Sequence, residues 1–545
     1  MEHARNLEEY RAAAAALDEV NGLSAASQGA RSKHGPSSRL FAASSLERAQ
    51  SQLETARNVE DWSHLLHLLQ RCLSEVNYGG HLTEALYADS FAGSQCLVDE
   101  YCTSVVDGLD ALHKKVAAEI ADSEDDVDAA GGATHRRSSL LEESRRFCEF
   151  AVCTFGRSAL CLSGGGGMAF QHFGVLRELL SKNLLPTIIS GTSGGAAVAC
   201  YVCCRTDAEL LGEVPRGMYP LRLEPDEIQP SIGLGSAMAQ WAYNYWHEGC
   251  LLLREPMEEW AKQWAMGDTT FLEAYERTGR VLNITTCCLG EGGGGDQVPL
   301  LLNYQTHPHV LLTSAMMCSG SMPNLLNPSK LYEKCPETGI IRVHCSSELC
   351  YADGSIDFDI PSIGLAQAFG VRYTIASQVN PHVVPFHHPP HGEAGRPTTR
   401  IIWSQGQWRG GFLLCALEVV LKEVFKAAWR VMGLLQLLPP AFGAKWDLFF
   451  AQVYEGSVTL CSERGYFWKV LHAMSNPSLE TFRVLWHEGR LTLWPKMSLI
   501  EKRLLVERAL FRLDSTLEAS VVGGSADASP AGSLVCRRRS FARTD

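Results

Sequence analysis

A serine flanked by glycines is the strongest candidate for chemistry in this sequence. Ser193 is the central residue of Gly191-Thr192-Ser193-Gly194-Gly195, which fits the pattern G-x-S-x-G. Such glycines let a chain turn sharply from a strand into a helix, so that the serine hydroxyl is exposed and faces the amides of the helix N-terminus. The same short pattern also occurs in ordinary glycine-rich turns. Because a predicted strand precedes it and a predicted helix follows, we identify Ser193 as a candidate nucleophile.

The preceding predicted strand ends in four glycines, Gly164, Gly165, Gly166 and Gly167. Their backbone N–H groups can turn towards a ligand, which predicts an oxyanion hole or a phosphate cradle. With Ala169, this stretch also fits the loose dinucleotide-binding pattern G-x-G-x-x-A, but such a site needs an acidic residue at the end of the next strand. Here the next strand runs directly into the serine turn, so nucleotide binding is disfavoured.

A carboxylate that could activate the serine is Asp353. The pair Asp353-Gly354 follows an apolar run at 349–352, which indicates the end of a strand. Deprotonation of a serine hydroxyl needs an adjacent base that is held in place and partly desolvated. Taken alone, an Asp-Gly pair is more often a simple turn, so both interpretations are open at this point.

The alternative to Asp353 acting as the base is a Ser-Asp-His triad, because several histidines follow Asp353 in the chain. The candidates are His382, His387, His388 and His391. They share a short proline-rich stretch, which is typical of a solvated loop. His172, close to the four glycines, is expected to be a structural hydrogen-bonding residue rather than a base.

The segments that carry these residues alternate between strands and helices. Apolar runs at 159–163 and 187–190 each lead into a glycine-rich turn, and a predicted helix follows each turn. Alternation with short connections predicts a parallel α/β sheet. Further strands are predicted at 280–288, 298–303, 340–343 and 373–378.

Regions outside this α/β section differ in composition. Helical spacing of apolar residues from Leu46 onwards, and a second predicted helix at 94–121, indicate an all-helical amino-terminal domain. The predicted organisation is a flexible segment at 1–44, a helical domain at 45–121, an acidic linker and lead-in at 122–150, a catalytic α/β domain at 151–380, a carboxy-terminal extension at 381–518 and a disordered, basic-ended tail at 519–545.

Composition narrows the class of protein. The 545 residues are 46% hydrophobic, as expected for a substantial core, and the net charge of −13 disfavours nucleic acid as a partner. The 19 cysteines lie mostly in apolar runs and the amino terminus is polar, so we expect an intracellular protein without a signal peptide. No segment predicts a membrane-spanning helix. No convincing metal-ligand spacing is present, and we expect neither a metal nor a cofactor.

The glycine loop, the Gly-Thr-Ser-Gly-Gly turn and the Asp-Gly pair, in this order, resemble the patatin-like phospholipases. Within that family the chain is most similar to the triacylglycerol lipases of fungi and plants that consume lipid droplets. The resemblance covers roughly residues 45 to 515. The matching segments are 46–112, 160–167, 185–193, 204–207, 351–355, 377–382 and 494–496.

This resemblance implies a three-layer α/β/α domain with a mainly parallel sheet, preceded by a small helical domain. It implies hydrolysis by a dyad of Ser193 and Asp353, with oxyanion donors among the amides around Gly165, Gly166 and Gly167. The implied substrates are neutral lipids, triacylglycerol above all, with phospholipids as the alternative for the same fold. The implied location is the surface of a lipid droplet or of a membrane, including the endoplasmic reticulum. The non-enzymatic alternative is a catalytically weak scaffold on the droplet.

Three departures from the family pattern stand out. Gly194 replaces the alanine of the common Gly-Thr-Ser-Ala-Gly, and Ser355 stands where many members have glycine or alanine. The acyltransferase motif H-x-x-x-x-D of some members has no match, since no histidine has an aspartate five residues later. A second, acyltransferase activity is therefore not expected.

The segment 410–440 predicts a helix with an unusually wide apolar surface. Its charged residues form a narrow stripe and are Glu418, Lys422, Glu423, Lys426 and Arg430. Such a helix suits the interface of a membrane or a droplet. The alternative is a helix buried against the α/β core, and the sequence leaves both open.

Overall fold

The computed structural model describes residues 1, 3–23, 43–74, 84–88, 90–94, 96–129, 139–213, 242–247, 249–289, 298–322, 325–345, 349–354, 359–381, 383–384, 387, 393–397, 412–435, 454–462 and 479–522. Several sequence predictions lie outside these ranges: those for Ser355, His382, His388, His391 and the tail beyond 522.

A mainly parallel sheet forms the centre of the described structure. The strands are β1 (Arg157–Leu162), β2 (Ile188–Gly191), β3 (Val281–Leu289), β4 (Val298–Leu302), β5 (Tyr332–Lys334), β6 (Ile341–Val343), β7 (Cys350–Asp353), β8 (Val371–Gln378) and β9 (Val458–Cys461). Seven strands share one sheet in the order β4-β3-β2-β1-β8-β9, with β7 also paired to β3, whereas β5 and β6 form a separate hairpin. Within the described part of the large sheet, β4 and β7 run antiparallel to β3 and the other pairs are parallel. The predicted strands are confirmed to within two residues.

Helices pack on both faces of the sheet and also form the amino-terminal region. They are α1 (Leu7–Val20), α2 (Ala43–Asn58), α3 (Trp62–Cys72), α4 (Cys96–Ala129), α5 (Ser139–Phe155), α6 (His172–Ser181), α7 (Gly194–Cys203), α8 (Asp207–Glu213), α9 (Arg254–Trp264), α10 (Phe271–Thr278), α11 (Leu312–Ser319), α12 (Ser362–Phe369), α13 (Phe412–Leu434), α14 (Leu479–Leu493) and α15 (Met497–Val522). Short 3₁₀ turns lie at Glu84–Tyr87, Gly166–Gln171 and Trp494–Lys496.

The two faces of the sheet belong to two separate apolar cores, because side chains alternate along a strand. Cys161 of β1 packs with Leu365 and Phe369 of α12 on one face. The neighbouring Leu160 faces the larger core, which also contains Phe173 of α6. Both faces are therefore buried, as expected for a parallel sheet between helical layers. This confirms the predicted α/β/α architecture.

The amino-terminal segment is more ordered than predicted. Residues 7–20, placed in a flexible segment, form α1, whose Leu7, Tyr10 and Ala14 are buried at helical spacing. The Asn6 side chain caps this helix by accepting a hydrogen bond from the Glu9 amide at 2.9 Å. The prediction of flexibility was wrong here because the alanine-rich run is a strong helix former with an apolar face.

The acidic linker also begins later than predicted. Helix α4 continues through Ala129, so the acidic residues at 122–128 belong to its last turns. No glycine or proline interrupts the chain between Gly108 and Gly131, which explains why the helix propagates so far. The lead-in at 139–155 is helix α5.

The carboxy-terminal region completes the fold rather than extending it. Strand β9 pairs with β8, so the sheet continues past the predicted domain boundary at residue 380. Helix α15 joins the amino-terminal helices through Ser498 Oγ, which donates to Asp99 at 3.0 Å, and through Thr516 Oγ1, 3.0 Å from His113 Nε2. In the described ranges, no helix is both long and apolar enough to cross a membrane.

Candidate active site

Ser193 occupies a strained turn between β2 and α7. Its backbone has φ 52° and ψ −123°, a left-handed conformation that a residue with a side chain rarely adopts. Strand β2 ends at Gly191 and helix α7 begins at Gly194, so the serine directly precedes the helix. The residue is partly exposed while Thr192 before it is buried. This backbone conformation at a strand-to-helix junction is the one expected of a nucleophile turn.

The glycines around Ser193 are required by close backbone contacts. A Cβ atom on Gly195 would lie 2.3 Å from the Leu162 carbonyl oxygen, and one on Gly191 would lie 2.5 Å from the Gly195 oxygen. A Cβ on Gly194 would lie 2.8 Å from the Gly166 oxygen. The serine turn therefore packs directly against the glycine loop.

The glycine loop follows β1, the parallel neighbour of β2. Leu162 pairs with Gly191 at the carboxyl ends of these strands, which explains why the two turns meet. Gly165 and Gly166 have φ values of 139° and 57°. The Gly164 amide donates to Asp359 Oδ1 at 2.9 Å, so its hydrogen is committed to that carboxylate. Gly165, Gly166 and Gly167 stay the predicted oxyanion donors.

Strand pairing brings Asp353 to the same point. Strands β2 and β7 lie along one edge of β3, because β4 occupies the other edge. They run in opposite directions, and their ends pair with residues only two positions apart on β3: Gly191 with Ile284, and Asp353 with Thr286. Asp353 is 1% exposed. The topology thus places a buried carboxylate at the end of the strand that faces the serine turn.

Ser319 also contacts the candidate nucleophile Ser193, and no sequence pattern pointed to it. The Ser193 backbone amide donates to Ser319 Oγ at 2.8 Å. Ser319 is the last residue of α11 and is fully buried. A serine at the end of an apolar helix is common, so only the tertiary structure distinguishes this one.

Asp359 is a second buried carboxylate that sequence reasoning missed. Its Oδ2 accepts hydrogen bonds from Gln378 Nε2 and Asn380 Nδ2, both at 2.9 Å, in addition to the Gly164 amide on Oδ1. Burial raises the pKa of Asp359, and the three N–H donors oppose that effect. In the sequence, its position six residues after Asp353 could have indicated that it lies near the candidate site.

His172 has the structural role that was predicted. The imidazole is fully buried, with Nδ1 2.8 Å from Ser377 Oγ and Nε2 3.1 Å from the Ser163 carbonyl oxygen. Burial lowers the pKa of His172 to about 4, against the effect of the Ser163 hydrogen bond. A neutral, doubly hydrogen-bonded imidazole joins β8 to the start of the glycine loop.

His387 differs from the prediction of a solvated loop. Its side chain is buried, with Nε2 3.8 Å from Glu393 Oε2 and Nδ1 3.9 Å from Glu455 Oε1. Neither of these carboxylates is Asp353, the predicted base. Among the described side chains, no group of three or more His, Cys, Asp or Glu is placed to hold a metal ion.

Comparison with known proteins agrees with this geometry. Residues 160–361 match the family model of the patatin-like phospholipases, and residues 1–128 match a domain of unknown function, DUF3336. The second match begins at residue 1, so it includes α1, consistent with the order found there.

Relatives from fungi cover most of the chain, and each is described as a patatin-like phospholipase domain-containing protein. The one from Neosartorya fischeri is 33% identical over 506 residues, which are 92% of this chain and 64% of the relative. The one from Aspergillus clavatus is 34% identical over 491 residues, 89% of this chain and 62% of the relative. The one from Yarrowia lipolytica is 32% identical over 453 residues, 82% and 50%. The chain thus spans half to two thirds of the length of these relatives.

Proposed function

Because the chain belongs to the patatin-like phospholipase family, we propose that it is a serine hydrolase of lipid esters, with Ser193 as nucleophile and Asp353 as general base. The observation that carries the proposal is the left-handed backbone of Ser193, held between the glycine loop and the strand end that bears Asp353. A strained serine at a strand-to-helix junction suits nucleophilic attack.

The reaction follows from these positions. Asp353 accepts the proton of the Ser193 hydroxyl as Oγ attacks the ester carbonyl carbon. The negative charge that develops on the carbonyl oxygen is stabilised by backbone amides of Gly165, Gly166 and Gly167. The alcohol leaves with the proton from Asp353, and water then hydrolyses the acyl-serine to release a fatty acid.

An exposed apolar helix supports a lipid surface as the partner. In α13, the apolar side chains with exposures of 37–79% are Leu413, Leu417, Val419, Val420, Leu421, Val424 and Val431. This exposure argues against a helix buried in the core, the alternative that the sequence left open. The charged stripe of this helix is nearly balanced, so the apolar patch provides most of its attraction to a lipid surface. We therefore propose triacylglycerol, a neutral lipid at a droplet surface, as the preferred substrate.

The test of the proposed activity is a panel of radiolabelled lipids with wild type, Ser193→Ala and Asp353→Asn in parallel. The panel contains triacylglycerol, diacylglycerol, a sterol ester, a phospholipid and a lysophospholipid. We expect wild type to release fatty acid fastest from triacylglycerol, Ser193→Ala to release none, and Asp353→Asn to be slowed by about 10²–10⁴-fold. Faster release from phospholipids would favour the phospholipase alternative. No release by folded wild type from any lipid would favour the scaffold.

The lipid surface is tested separately. Replacing Leu413, Leu417 and Val424 by serine should detach the protein from artificial triacylglycerol droplets and leave hydrolysis of a water-soluble short-chain ester unchanged, because binding follows exposed apolar area. The matched control replaces the same three residues by isoleucine and should still bind. If the serine variant loses fold and soluble-ester activity together, or binds droplets as wild type does, α13 is not the docking surface.

A further inference from the structure

We propose that Asp359 is a positioning residue, whose carboxylate holds the glycine loop in register with the Ser193 turn so that the oxyanion donors are correctly placed. The inference rests on the proposed function and adds a residue to its machinery. It is carried by a set of hydrogen bonds that meet on this one residue.

Asp359 contacts both halves of the site. Its Oδ1 accepts the Gly164 amide at 2.9 Å, at the first residue of the glycine loop. Its backbone carbonyl accepts the Thr192 hydroxyl at 2.9 Å, one residue before Ser193. The two turns leave different strands, so a residue bound to both fixes the distance between them.

The other carboxylate oxygen is anchored to the end of β8. Gln378 Nε2 and Asn380 Nδ2 both donate to Oδ2. The orientation of Gln378 is set by its Oε1, which accepts the backbone N–H of Asn380 at 3.1 Å. The glycine loop is braced on the same side, since Val379 N donates to Ser163 Oγ at 2.8 Å. Asp359 thus ties the loop to a rigid strand end.

Both side-chain oxygens of Asp359 must act as hydrogen-bond acceptors. The groups on Gly164, Gln378 and Asn380 that bind the carboxylate are all N–H donors, so an asparagine at position 359 would point its own NH₂ group at one of these donors. Either orientation of that amide leaves a buried polar group unsatisfied and lets the loop move. Small displacements of oxyanion donors reduce turnover strongly, because their stabilisation depends on preorganised geometry.

The experiment compares Asp359→Asn with the swap Asp359→Asn/Asn380→Asp, which moves the carboxylate to the other side of one hydrogen bond. On a soluble short-chain ester, we expect the single variant to lose about 10–100-fold in kcat with KM within threefold of wild type. The swap should recover most of the loss, because the amide introduced at position 359 can then donate to the carboxylate introduced at position 380. Asp268→Asn, at an exposed aspartate, is the matched control and should leave kcat unchanged.

A second readout separates this inference from the proposed activity. Hydrogen exchange of the peptide containing Gly164 should accelerate in Asp359→Asn and return in the swap, whether or not the wild type hydrolyses any ester. Wild-type kcat or unchanged exchange in the single variant overturns the proposal. If the single variant does not fold, a folded swap with wild-type-like kcat supports it, and a swap that is inactive or also unfolded overturns it. If wild-type protein hydrolyses no ester, the proposed activity fails, and the exchange data alone decide whether Asp359 holds the loop.

Discussion

Two buried charged residues join distant segments of this molecule: Asp359 beside the candidate active site and Lys496 before α15. Uncharged N–H groups donate to Asp359. Lys496, 4% exposed, is instead paired with two carboxylates: its Nζ lies 2.7 Å from Glu393 Oε2 and 2.9 Å from Glu84 Oε2. It also donates to the Thr459 carbonyl of β9. We call Glu84, Glu393, Thr459 and Lys496 the Lys496 cluster.

The Lys496 cluster holds separate parts of the fold together. Glu84 belongs to the amino-terminal helical region, Thr459 to the sheet and Lys496 to the turn before the last helix. Burial alone would lower the pKa of Lys496, but the two carboxylates outweigh it and raise that pKa. Burial alone would raise the pKa of Glu393, but Lys496, His387 and Arg396 lower it well below its usual range.

The two buried charges differ in their partners, and we expect them to differ in their roles. The Lys496 cluster contains opposite full charges. Removing one of them leaves its partners buried without that counter-charge and reduces stability. Dipolar donors around Asp359 are directional, so removing its charge disturbs geometry first. We therefore expect changes in the Lys496 cluster to lower stability at constant turnover, and changes near Asp359 to lower turnover at nearly constant stability.

The largest expected effect comes from Lys496→Ala, which leaves Glu393 buried without its main cation. The free energy of unfolding should fall by about 3–5 kcal/mol, because removing one partner of a buried ion pair is costly even though Glu393 keeps Arg396 at 2.7 Å. Denaturant titration measures the loss, and kcat per active site should stay within twofold of wild type.

Lys502→Ala is the matched control, since Lys502 lies on the nearby α15, is partly exposed and donates to Thr103 Oγ1 at 3.1 Å. Its free energy of unfolding should change by no more than about 1 kcal/mol. A Lys496 variant that keeps its stability but loses turnover would reverse the comparison.

Mild acid should lower the free energy of unfolding through the buried His172, beside the glycine loop. The pKa of His172 is lowered to about 4. Between pH 6.5 and 4 the His172 side chain is therefore protonated in the unfolded chain and neutral in the folded protein. Stability should therefore fall as the pH falls through this window, with about 2 kcal/mol lost through His172 by pH 5. Glu393 and Lys496 stay ionised there, since their pKa values move away from the window.

Denaturant titrations at pH 8 and pH 5 measure this dependence for wild type and His172→Gln. The variant should lose less stability between the two pH values than wild type does. The exposed His67→Gln serves as control and should behave as wild type. Equal losses in all three proteins would show that His172 is not the titrating group.

The smallest expected effect is that of Gly194→Ala, which changes no charge. A Cβ atom on Gly194 would lie 2.8 Å from the Gly166 oxygen and 3.0 Å from Ala169 Cβ, so Gly194→Ala should push the glycine loop by a few tenths of an ångström. We expect a several-fold loss of kcat on a soluble ester, because oxyanion geometry is sensitive to small displacements. Stability should stay within about 1 kcal/mol, since alanine favours the helix that follows.

Gly212→Ala is the control for the added methyl group, because a Cβ on Gly212 of α8 meets nothing within 4 Å. It should leave kcat unchanged. Higher turnover in Gly194→Ala than in wild type would mean that this chain tolerates the alanine common in the family.

The sequence by itself determined the elements that carry the chemistry. The strands before Gly164 and Gly191, the helices after them and the strand ending at Asp353 all follow from local apolar runs and glycine turns, which are properties of short segments. Local pattern was weaker at the boundaries: α1 and the end of α4 were misassigned, because an alanine-rich or acidic stretch can fold as helix or stay extended according to what packs beside it.

Only the tertiary structure decided which polar groups meet. Asp359 and Ser319 reach the serine turn because strand order and helix packing bring distant segments into hydrogen-bond distance. Lys496 forms ion pairs with Glu84 and Glu393 for the same reason. The exposure of α13 is equally a tertiary property, since its apolar spacing is compatible with core or surface. Local sequence sets the periodicity of a segment, whereas its partners depend on the path of the whole chain, and no short pattern encodes that path.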